Sequence, residues 1–267
     1  MKRRGFLKSS LIVGGATVAP FSLAAGTADA AECKEALNTV EGMEAVGRIK
    51  PKSTSEVKNS YWGIQAGAFD DDTLEKARAL GVKWSRINIH WDRVEKEKGK
   101  FDWAPYDESL DALLRYDIVP FVSLTGGNGM YTGTGTYDDP KLAAIYGDSP
   151  LPPLDEKGKA GWLNYVTMAV NRYKDRIRHW EVWNEPNHRN YWGAPPDGHA
   201  YGELVRYTVD LILELHPEAK IIAGSMAGIS ADFTDKFLSV CDPEKIDVIS
   251  FHNYGNRPEN RVYAVEK

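Results

Sequence analysis

The sequence predicts an α/β fold, a (β/α)8 TIM barrel of which about six of the eight units are present. Short apolar segments alternate with segments of helical periodicity from residue 61 to residue 254, a pattern typical of parallel strands covered by helices. No Gly-rich phosphate-binding loop follows the first apolar segment, so a nucleotide-binding open sheet is disfavoured. Polar residues instead gather where the apolar segments end, as they do at the mouth of a closed barrel.

Six strands are predicted, each a short apolar segment bounded by polar or turn residues. They cover residues 61–67, 82–91, 118–124, 179–183, 220–227 and 247–254. Helices are predicted between them, and the most regular carries apolar residues at i, i+3 and i+4 spacing from Tyr201 to Leu215. The segment 125–159, rich in Gly, Thr, Tyr and Asp, is predicted to be a long loop. Loops of that length inside compact domains are usually functional.

The number of strands falls short of a closed barrel. Six units average about 32 residues each, whereas a complete barrel has eight units and takes about 250 residues or more. About a dozen residues follow the last predicted strand. The two remaining units are therefore expected to lie beyond Lys267, in a longer polypeptide.

Residues 1–30 are predicted to be a signal peptide of the twin-arginine export route. Arg3 and Arg4 precede an apolar stretch at 11–25, and residues 28–30 form a small-x-small cleavage pattern. The stretch is short and contains Gly and Pro, which favours a cleaved signal over an uncleaved anchor. Such signals direct a protein to the periplasm or the cell exterior. Residues 31–58 are interpreted as a polar tail or linker, and 59–267 as the barrel.

Charge and cysteine content bear on the partners. The formal net charge is −5, and it becomes more negative without residues 1–30, which hold four basic residues and one Asp. Because no basic block or stripe is present, nucleic acid is not an expected partner. No stable membrane anchor is expected either, and the sequence does not indicate an oligomeric state. Cys33 and Cys241 could form one disulfide after export or remain unpaired.

The run WNEPN at residues 183–187 is the strongest chemical signal in the chain. It follows the fourth predicted strand directly, and Pro186 ends regular strand pairing where the barrel mouth should begin. Glu185 is expected to be partly desolvated by nearby tryptophans, namely Trp180, Trp183 and Trp192. Desolvation favours the protonated form of a carboxyl group, which can then donate a proton. The alternative interpretation is a strand-end carboxylate that forms an ion pair with Arg86.

With its context, this motif resembles the retaining glycoside hydrolases of the barrel superfamily called clan A. The WNEPN form is most similar to glycoside hydrolase family 39, which includes β-xylosidases and α-iduronidases, and family 5 is the next candidate. The resemblance covers about residues 61–254. It implies that Glu185 is the general acid/base and that Asn184 binds the 2-hydroxyl group of the sugar being cleaved. The implied substrate is a polysaccharide or oligosaccharide.

Three further residues match the clan pattern at strand ends. The resemblance implies that Arg86, at the end of strand two, steadies the carboxylate nucleophile. It also implies that His252 binds sugar or orients the acid/base, and that Tyr254 holds the nucleophile. The clan's nucleophile is a Glu after strand seven, which is expected beyond Lys267, because Glu259 follows strand six without an intervening helix. Two alternatives stay open, a carbohydrate-binding barrel without hydrolysis and a lyase or isomerase that uses Glu185 with His252.

Aromatic side chains near the strand ends are candidates for sugar binding, because aromatic faces stack on the apolar faces of pyranose rings. His90 and Trp91 are the favoured pair. The other candidates for substrate binding are Trp183, Trp192 and Tyr131, with further aromatic residues at Trp62, Tyr137 and Tyr191. Neither a metal ion nor an organic cofactor is implied, and the spacing of His188 and His199 does not form a metal-binding set.

Overall fold

A computed structural model describes residues 52, 56, 60–65, 69–135, 139–147 and 149–254. The predicted signal segment 1–30 lies outside these residues, as does nearly all of the predicted tail 31–58. Cys33, Tyr137 and Glu259 also lie outside them. Cys241 is buried, and its burial raises the pKa of the thiol. Among the helices that the structure describes, none is both long and apolar enough to cross a membrane.

Six parallel strands form one curved sheet in the order in which they occur along the chain. The strands are β1 Gly63–Ile64, β2 Trp84–His90, β3 Val119–Thr125, β4 His179–Val182, β5 Lys220–Ala227 and β6 Val248–His252. Each pairs in parallel with the next. The predicted partial (β/α)8 barrel is therefore confirmed. The first strand is shorter than the predicted 61–67, and its two residues pair with Trp84 and Ser85.

Helices connect successive strands. They are α1 Asp71–Ala79, α2 Trp91–Val94, α3 Ala104–Arg115, α4 Gly129–Thr132, α5 Pro140–Tyr146, α6 Glu156–Tyr173, α7 Arg189–Trp192, α8 Gly198–Leu215 and α9 Ala231–Leu238. The prediction that 125–159 is a loop was wrong in part, because α4, α5 and the first turn of α6 lie in it. The side chains of Asn128, Asp139 and Asp155 cap these helices by accepting hydrogen bonds from backbone N–H groups. Asn and Asp residues at such positions are a local sequence signal for the start of a helix.

Polar and apolar side chains alternate along the strands, so the sheet has a polar inner face and an apolar outer face. Arg86 of β2 reaches Ser123 of β3 and Glu181 of β4 on the concave side of the sheet. Ile87 and Ile89 face the other way and belong to the buried core. Since side chains of a strand point alternately to its two faces, this sequence pattern brings the polar groups of neighbouring strands together.

The core lies between the outer face of the sheet and the long helices α6 and α8. Buried aromatic side chains fill it, and their polar atoms bond across elements. Trp162 Nε1 of α6 donates to Thr208 Oγ1 of α8 at 2.8 Å. Tyr201 OH of α8 donates to Val182 O of β4 at 2.8 Å and accepts from Gly224 N of β5 at 2.9 Å. Because these bonds hold the carboxyl-terminal ends of β4 and β5, they fix the backbone from which the site is built.

Candidate active site

Strained backbone marks the edge of the sheet where the WNEPN run lies. Four non-glycine residues of the described chain have a positive φ, and three of them are at this edge: Trp183 at 70°, Glu185 at 48° and Ser225 at 45°. Such conformations cost about 1–3 kcal/mol each and persist where the surroundings enforce them. Here the Glu185 N–H donates to Ser225 O at 2.8 Å, and Trp183 O accepts from Ser123 Oγ at 2.8 Å. These hydrogen bonds therefore hold the strained backbone in place and fix the position of Glu185.

The end of the motif is tied to β5. Asn187 Nδ2 donates to Ala227 O at 3.1 Å, and Asn187 Oδ1 accepts from the Ala227 N–H at 2.8 Å. One side chain thus pairs with the backbone as a neighbouring strand would. The connection holds the turn that carries Glu185 against the carboxyl end of β5.

The carboxyl group of Glu185 contacts His252 at the end of β6. His252 Nδ1 lies 2.8 Å from Glu185 Oε1, and the two side chains are 19% and 12% exposed. The structure thus brings together two residues that lie 67 positions apart in the chain. Tyr254 is close by, with its ring centroid 6.4 Å from that of His252, and it is exposed.

Arg86 is buried, and its ion-pair partner is Glu181. Arg86 Nε donates to Glu181 Oε2 at 2.6 Å, and Nη2 lies 2.5 Å from the same oxygen. Nη1 donates to Asn184 Oδ1 at 3.1 Å. The alternative interpretation of Glu185 as the ion-pair partner of Arg86 is therefore wrong, since Glu181 occupies that position and Glu185 contacts His252.

The sequence analysis missed Glu181 as part of the site. Its side chain is nearly fully buried, and its second oxygen, Oε1, accepts from Ser250 Oγ at 2.8 Å. Both carboxylate oxygens are thus held, one by the buried Arg86 and the other by the half-buried Ser250. The available signal was a charged residue inside an otherwise apolar strand, since a buried charge is normally paired.

Four of the aromatic residues expected to bind sugar occupy the core instead. Trp91, Trp183 and Trp192 are at most 1% exposed and Tyr131 is 8% exposed. Trp91 Nε1 donates to Glu95 Oε2 at 2.7 Å, and Trp183 Nε1 donates to Tyr191 O at 3.1 Å. Helix α6 covers this group, with Trp162 packing against Trp91 and Trp183. Stacking on a sugar needs an open ring face, so these side chains are reassigned to the core.

The expected tryptophan surroundings of Glu185 require the same correction. Trp180 and Trp183 are fully buried and Trp192 nearly so. Trp180 Nε1 contacts His216 Nδ1 at 3.4 Å, which places it on the helix-facing side of β4. The carboxyl group of Glu185 is held by His252.

A second buried carboxylate, Glu95, stabilises the segment that follows β2. It is 0% exposed. Besides the Trp91 indole, it accepts from Tyr131 OH at 2.5 Å and from the Gly99 N–H at 2.7 Å. Burial and then the hydrogen bond to Glu95 raise the pKa of Tyr131 to about 12. The network joins α2 to α4 and holds Trp91 and Tyr131 in the core.

We expect Trp91→Ala to lower the free energy of unfolding by about 3–5 kcal/mol, because it removes a large buried side chain and a donor to Glu95. Urea denaturation followed by far-ultraviolet circular dichroism measures the change. Trp62→Ala is the matched control, since Trp62 is 65% exposed, and a change within about 0.5 kcal/mol is expected there. Equal losses in both variants would contradict the assignment of Trp91 to the core.

His90, at the end of β2, keeps a position suited to ligand contact. Its side chain is half-buried, and its backbone N–H donates to Tyr106 OH at 3.3 Å. Burial, followed by the charge of Arg93, lowers the pKa of His90. The imidazole is therefore neutral at neutral pH, with one nitrogen able to donate a hydrogen bond and the other able to accept one.

A cavity of about 510 Å³ lies on the concave side of the sheet. Side chains of Arg86, Phe121, His252 and Tyr254 contribute to its lining, together with β1. Among the described residues, no group of three or more His, Cys, Asp or Glu side chains is arranged to hold a metal ion.

Comparison with known proteins identifies the family. The model of "Glycosyl hydrolases family 39" matches residues 44–265. Coniferin beta-glucosidase of Pinus contorta is 30% identical over 146 residues, which cover 53% of this chain and 25% of that protein. Beta-xylosidase of Geobacillus stearothermophilus is 22% identical over 170 residues, covering 60% and 32%. The chain thus spans about a quarter to a third of the length of these curated relatives.

A solved structure shows the same fold. The family 39 beta-xylosidase of Caulobacter crescentus superposes with a TM-score of 0.56 at 24% identity, covering 74% of this chain and 46% of that one. The contact between Glu185 after β4 and His252 at the end of β6 joins the motif to a second strand end, and the family model matches most of the chain. The chain belongs to glycosyl hydrolases family 39.

Proposed function

We propose that the protein is a retaining glycoside hydrolase that cleaves O-glycosidic bonds with Glu185 as the general acid/base. The observation that carries the proposal is the carboxyl group of Glu185, held at a strand end by His252 at 2.8 Å. One oxygen is held by the imidazole, which leaves the other for proton transfer. The carboxyl group is only slightly exposed, so bulk water competes little with a bound substrate.

The proposed reaction has two steps, each with one proton transfer by Glu185. In the first, Glu185 donates its proton to the leaving oxygen while a second carboxylate attacks the anomeric carbon and forms a glycosyl-enzyme ester. In the second, the Glu185 carboxylate takes a proton from a water molecule, whose oxygen displaces the ester. The free enzyme is restored, and the configuration at the anomeric carbon is retained.

The second carboxylate must lie about 5–5.5 Å from Glu185 for a retaining reaction. Glu181 does not fill this role, because Arg86 and Ser250 hold both of its oxygens and its side chain is buried. We propose that the nucleophile is the Glu that the family places after strand seven, a strand not among the six that the structure describes. Activity measurements therefore use the full-length protein.

The neighbours of Glu185 have separable roles in this proposal. Arg86 donates to Asn184 Oδ1, which fixes the amide and leaves Nδ2 to donate to the sugar 2-hydroxyl group. His252 orients Glu185. Arg86 and Tyr254 line the same cavity, where they would steady the incoming nucleophile, and the neutral imidazole of His90 would bind sugar hydroxyl groups.

The geometry favours this function over a lyase or isomerase that uses Glu185 and His252 as separate proton-transfer groups. Such a pair would contact different atoms of a substrate placed between them. The two side chains instead bond to each other at 2.8 Å. A carbohydrate-binding barrel without hydrolysis is distinguished by the assay below.

The names of the relatives point to β-linked sugars. Coniferin beta-glucosidase, Beta-xylosidase and 1,4-beta-D-glucan glucohydrolase are among the curated relatives. We propose a β-xyloside or β-glucoside as the substrate of this protein. The linkage between sugar units would then be the β linkage of a plant polysaccharide or a fragment of one.

The stereochemistry of hydrolysis tests the proposal. Aryl β-xylosides and β-glucosides are incubated with the full-length enzyme, and proton NMR identifies the anomer that forms first. The β anomer is expected to appear before mutarotation produces the α anomer. An α anomer as the first product would contradict a retaining mechanism, and binding without any hydrolysis of the two classes would favour the non-catalytic alternative.

We further propose that the protein is exported by the twin-arginine route, with Arg3 and Arg4 as the recognised pair. Support comes from the sequence of residues 1–30. Replacing both arginines with lysine is expected to leave the precursor in the cytoplasm, as shown by cell fractionation and immunoblotting. Unchanged export of the double variant would contradict the route.

A further inference from the structure

A hydrogen-bonded chain connects Arg86 to the carboxyl group of Glu185 through two side chains. Arg86 Nη2 lies 3.0 Å from Ser225 Oγ. Ser225 Oγ lies 3.4 Å from His252 Nε2, and His252 Nδ1 lies 2.8 Å from Glu185 Oε1. Of these four hydrogen-bonded residues, Ser225 is the one to which neither the sequence motif nor the family resemblance gave a role.

The direction of each bond follows from the fixed donors. A guanidinium group can only donate, so Ser225 Oγ accepts from Arg86 and keeps its own proton to donate. Ser225 is 0% exposed, and a buried hydroxyl proton without an acceptor is costly. In the described structure, the remaining partner of this hydroxyl is Nε2 of His252. Ser225 therefore donates to Nε2.

Ser123 shows the same arrangement on the other side of the guanidinium group. Its Oγ accepts from the same Arg86 Nη2 at 3.1 Å and donates to Trp183 O at 2.8 Å. Ser123 is also 0% exposed. Both serines thus accept a hydrogen bond from Arg86. Ser123 donates its own hydrogen bond to a backbone carbonyl, and Ser225 donates to an imidazole.

The direction of the Ser225 bond sets the tautomer of His252. When Nε2 accepts a hydrogen bond, a neutral imidazole carries its proton on Nδ1. Nδ1–H then donates to Glu185 Oε1. An oxygen that accepts from an imidazole N–H is a poor place for the acid's own proton, so the proton of Glu185 is left to Oε2.

The backbone of β5 is bent to place this hydroxyl. The pairing of β5 with β6 shifts register between Ala223 and Met226, and Gly224 (φ 98°) and Ser225 (φ 45°) lie in the bulge. Bulges of this kind redirect a side chain next to a functional site. Ser225 N also donates to Ser250 Oγ at 2.9 Å, which anchors the bulge to β6.

We propose that Ser225 is a positioning residue whose hydroxyl group holds His252 as the Nδ1–H tautomer, so that Glu185 transfers its proton from Oε2 alone. The inference rests on the proposed role of Glu185 as the acid/base. In the first step the proton leaves Oε2 for the leaving oxygen, and in the second a proton from water returns to Oε2. The hydrogen bond from His252 Nδ1–H to Oε1 is kept in both steps.

Long-range proton–nitrogen NMR spectra of the protein with isotope-labelled histidine test the inference, because they distinguish the two tautomers and the imidazolium ion. The six histidines give separate patterns, and the one lost in His252→Asn is that of His252. At neutral pH the Nδ1–H tautomer is expected in the wild-type protein. In Ser225→Gly, which removes the hydroxyl and suits the positive φ, the proportion of Nδ1–H is expected to fall in favour of Nε2–H, because only the contact with Glu185 still favours Nδ1–H. The same change is expected in Ser225→Ala.

Ser123→Ala is the matched control, since it also removes a serine acceptor from Arg86 but does not touch His252. It is expected to leave the His252 pattern unchanged. The inference is overturned if wild-type His252 is the Nε2–H tautomer or the imidazolium ion, a result that needs no variant. It is also overturned if Ser225→Gly keeps the wild-type proportion of Nδ1–H, or if Ser123→Ala lowers that proportion equally. The spectra are recorded without sugar, so an absence of hydrolysis would count against the proposed function and not against the tautomer.

Discussion

Replacing Glu185 with Gln is expected to lower kcat/KM about 10²- to 10⁴-fold for glycosides with poor leaving groups, the usual contribution of a general acid. Glutamine keeps the shape of the side chain but has no proton to donate to the leaving oxygen. A dinitrophenolate needs little protonation to leave, so the first step with a dinitrophenyl glycoside is expected to be much less affected. Steady-state and burst kinetics of the full-length enzyme on a series of aryl glycosides measure this dependence.

Glu214→Gln is the matched control for that series. Glu214 is an exposed carboxylate on α8, and its replacement is expected to leave the kinetics of all the glycosides unchanged. An equal loss for good and poor leaving groups in Glu185→Gln would contradict a role in proton donation, because it would indicate that the side chain only supports the fold or binds the substrate.

The second large effect is expected from the buried ion pair of Arg86 and Glu181. Glu181→Ala leaves a buried guanidinium group without its counter-charge, and breaking such a pair by removing one partner costs about 3–5 kcal/mol. Urea denaturation of the chain measures the loss. Arg86 also donates to Asn184 and Ser225, so loss of its counter-charge is expected to disturb the site as well as the fold.

Two comparisons make that prediction specific. Glu203→Ala breaks an ion pair of the same residue types on the exposed surface of α8, with Arg206, and a cost of about 0–1 kcal/mol is expected there. The double variant Arg86→Met with Glu181→Leu is expected to be more stable than Glu181→Ala, since it leaves no unpaired buried charge. A Glu181→Ala variant that loses no more than Glu203→Ala would contradict the pairing.

The sequence predicted the strand order and the position of Glu185 because both depend on local pattern. Apolar segments set β2 to β6, and the ends of parallel strands meet at one edge of a sheet. Glu185 and His252 were therefore expected at the same edge, although 67 positions separate them. The register of neighbouring strands, as at Arg86 paired with Phe121, follows from the same regularity.

Features that depend on non-local packing were not predicted. Glu181 lies two residues before the motif, and its pairing with Arg86 requires knowledge of which side chains of β2 and β4 meet on the concave face. Trp91 appeared well placed for a sugar, but α6 and the carboxylate of Glu95 bury its ring. The role of Ser225 depends on a bulge in β5 that no residue pattern specifies.

Chemical rescue with azide tests the role of Glu185 most directly. In Glu185→Ala the glycosyl-enzyme intermediate from a dinitrophenyl β-glycoside lacks a general base for water, and the shortened side chain leaves space for a small anion. Azide needs no deprotonation, so it is expected to restore turnover and to yield the β-glycosyl azide, which NMR identifies by its anomeric coupling. The same treatment of Glu214→Ala is expected to yield only the free sugar. If azide gives no rate increase and no glycosyl azide with Glu185→Ala, or gives the α-azide, Glu185 is not the acid/base of a retaining glycosidase.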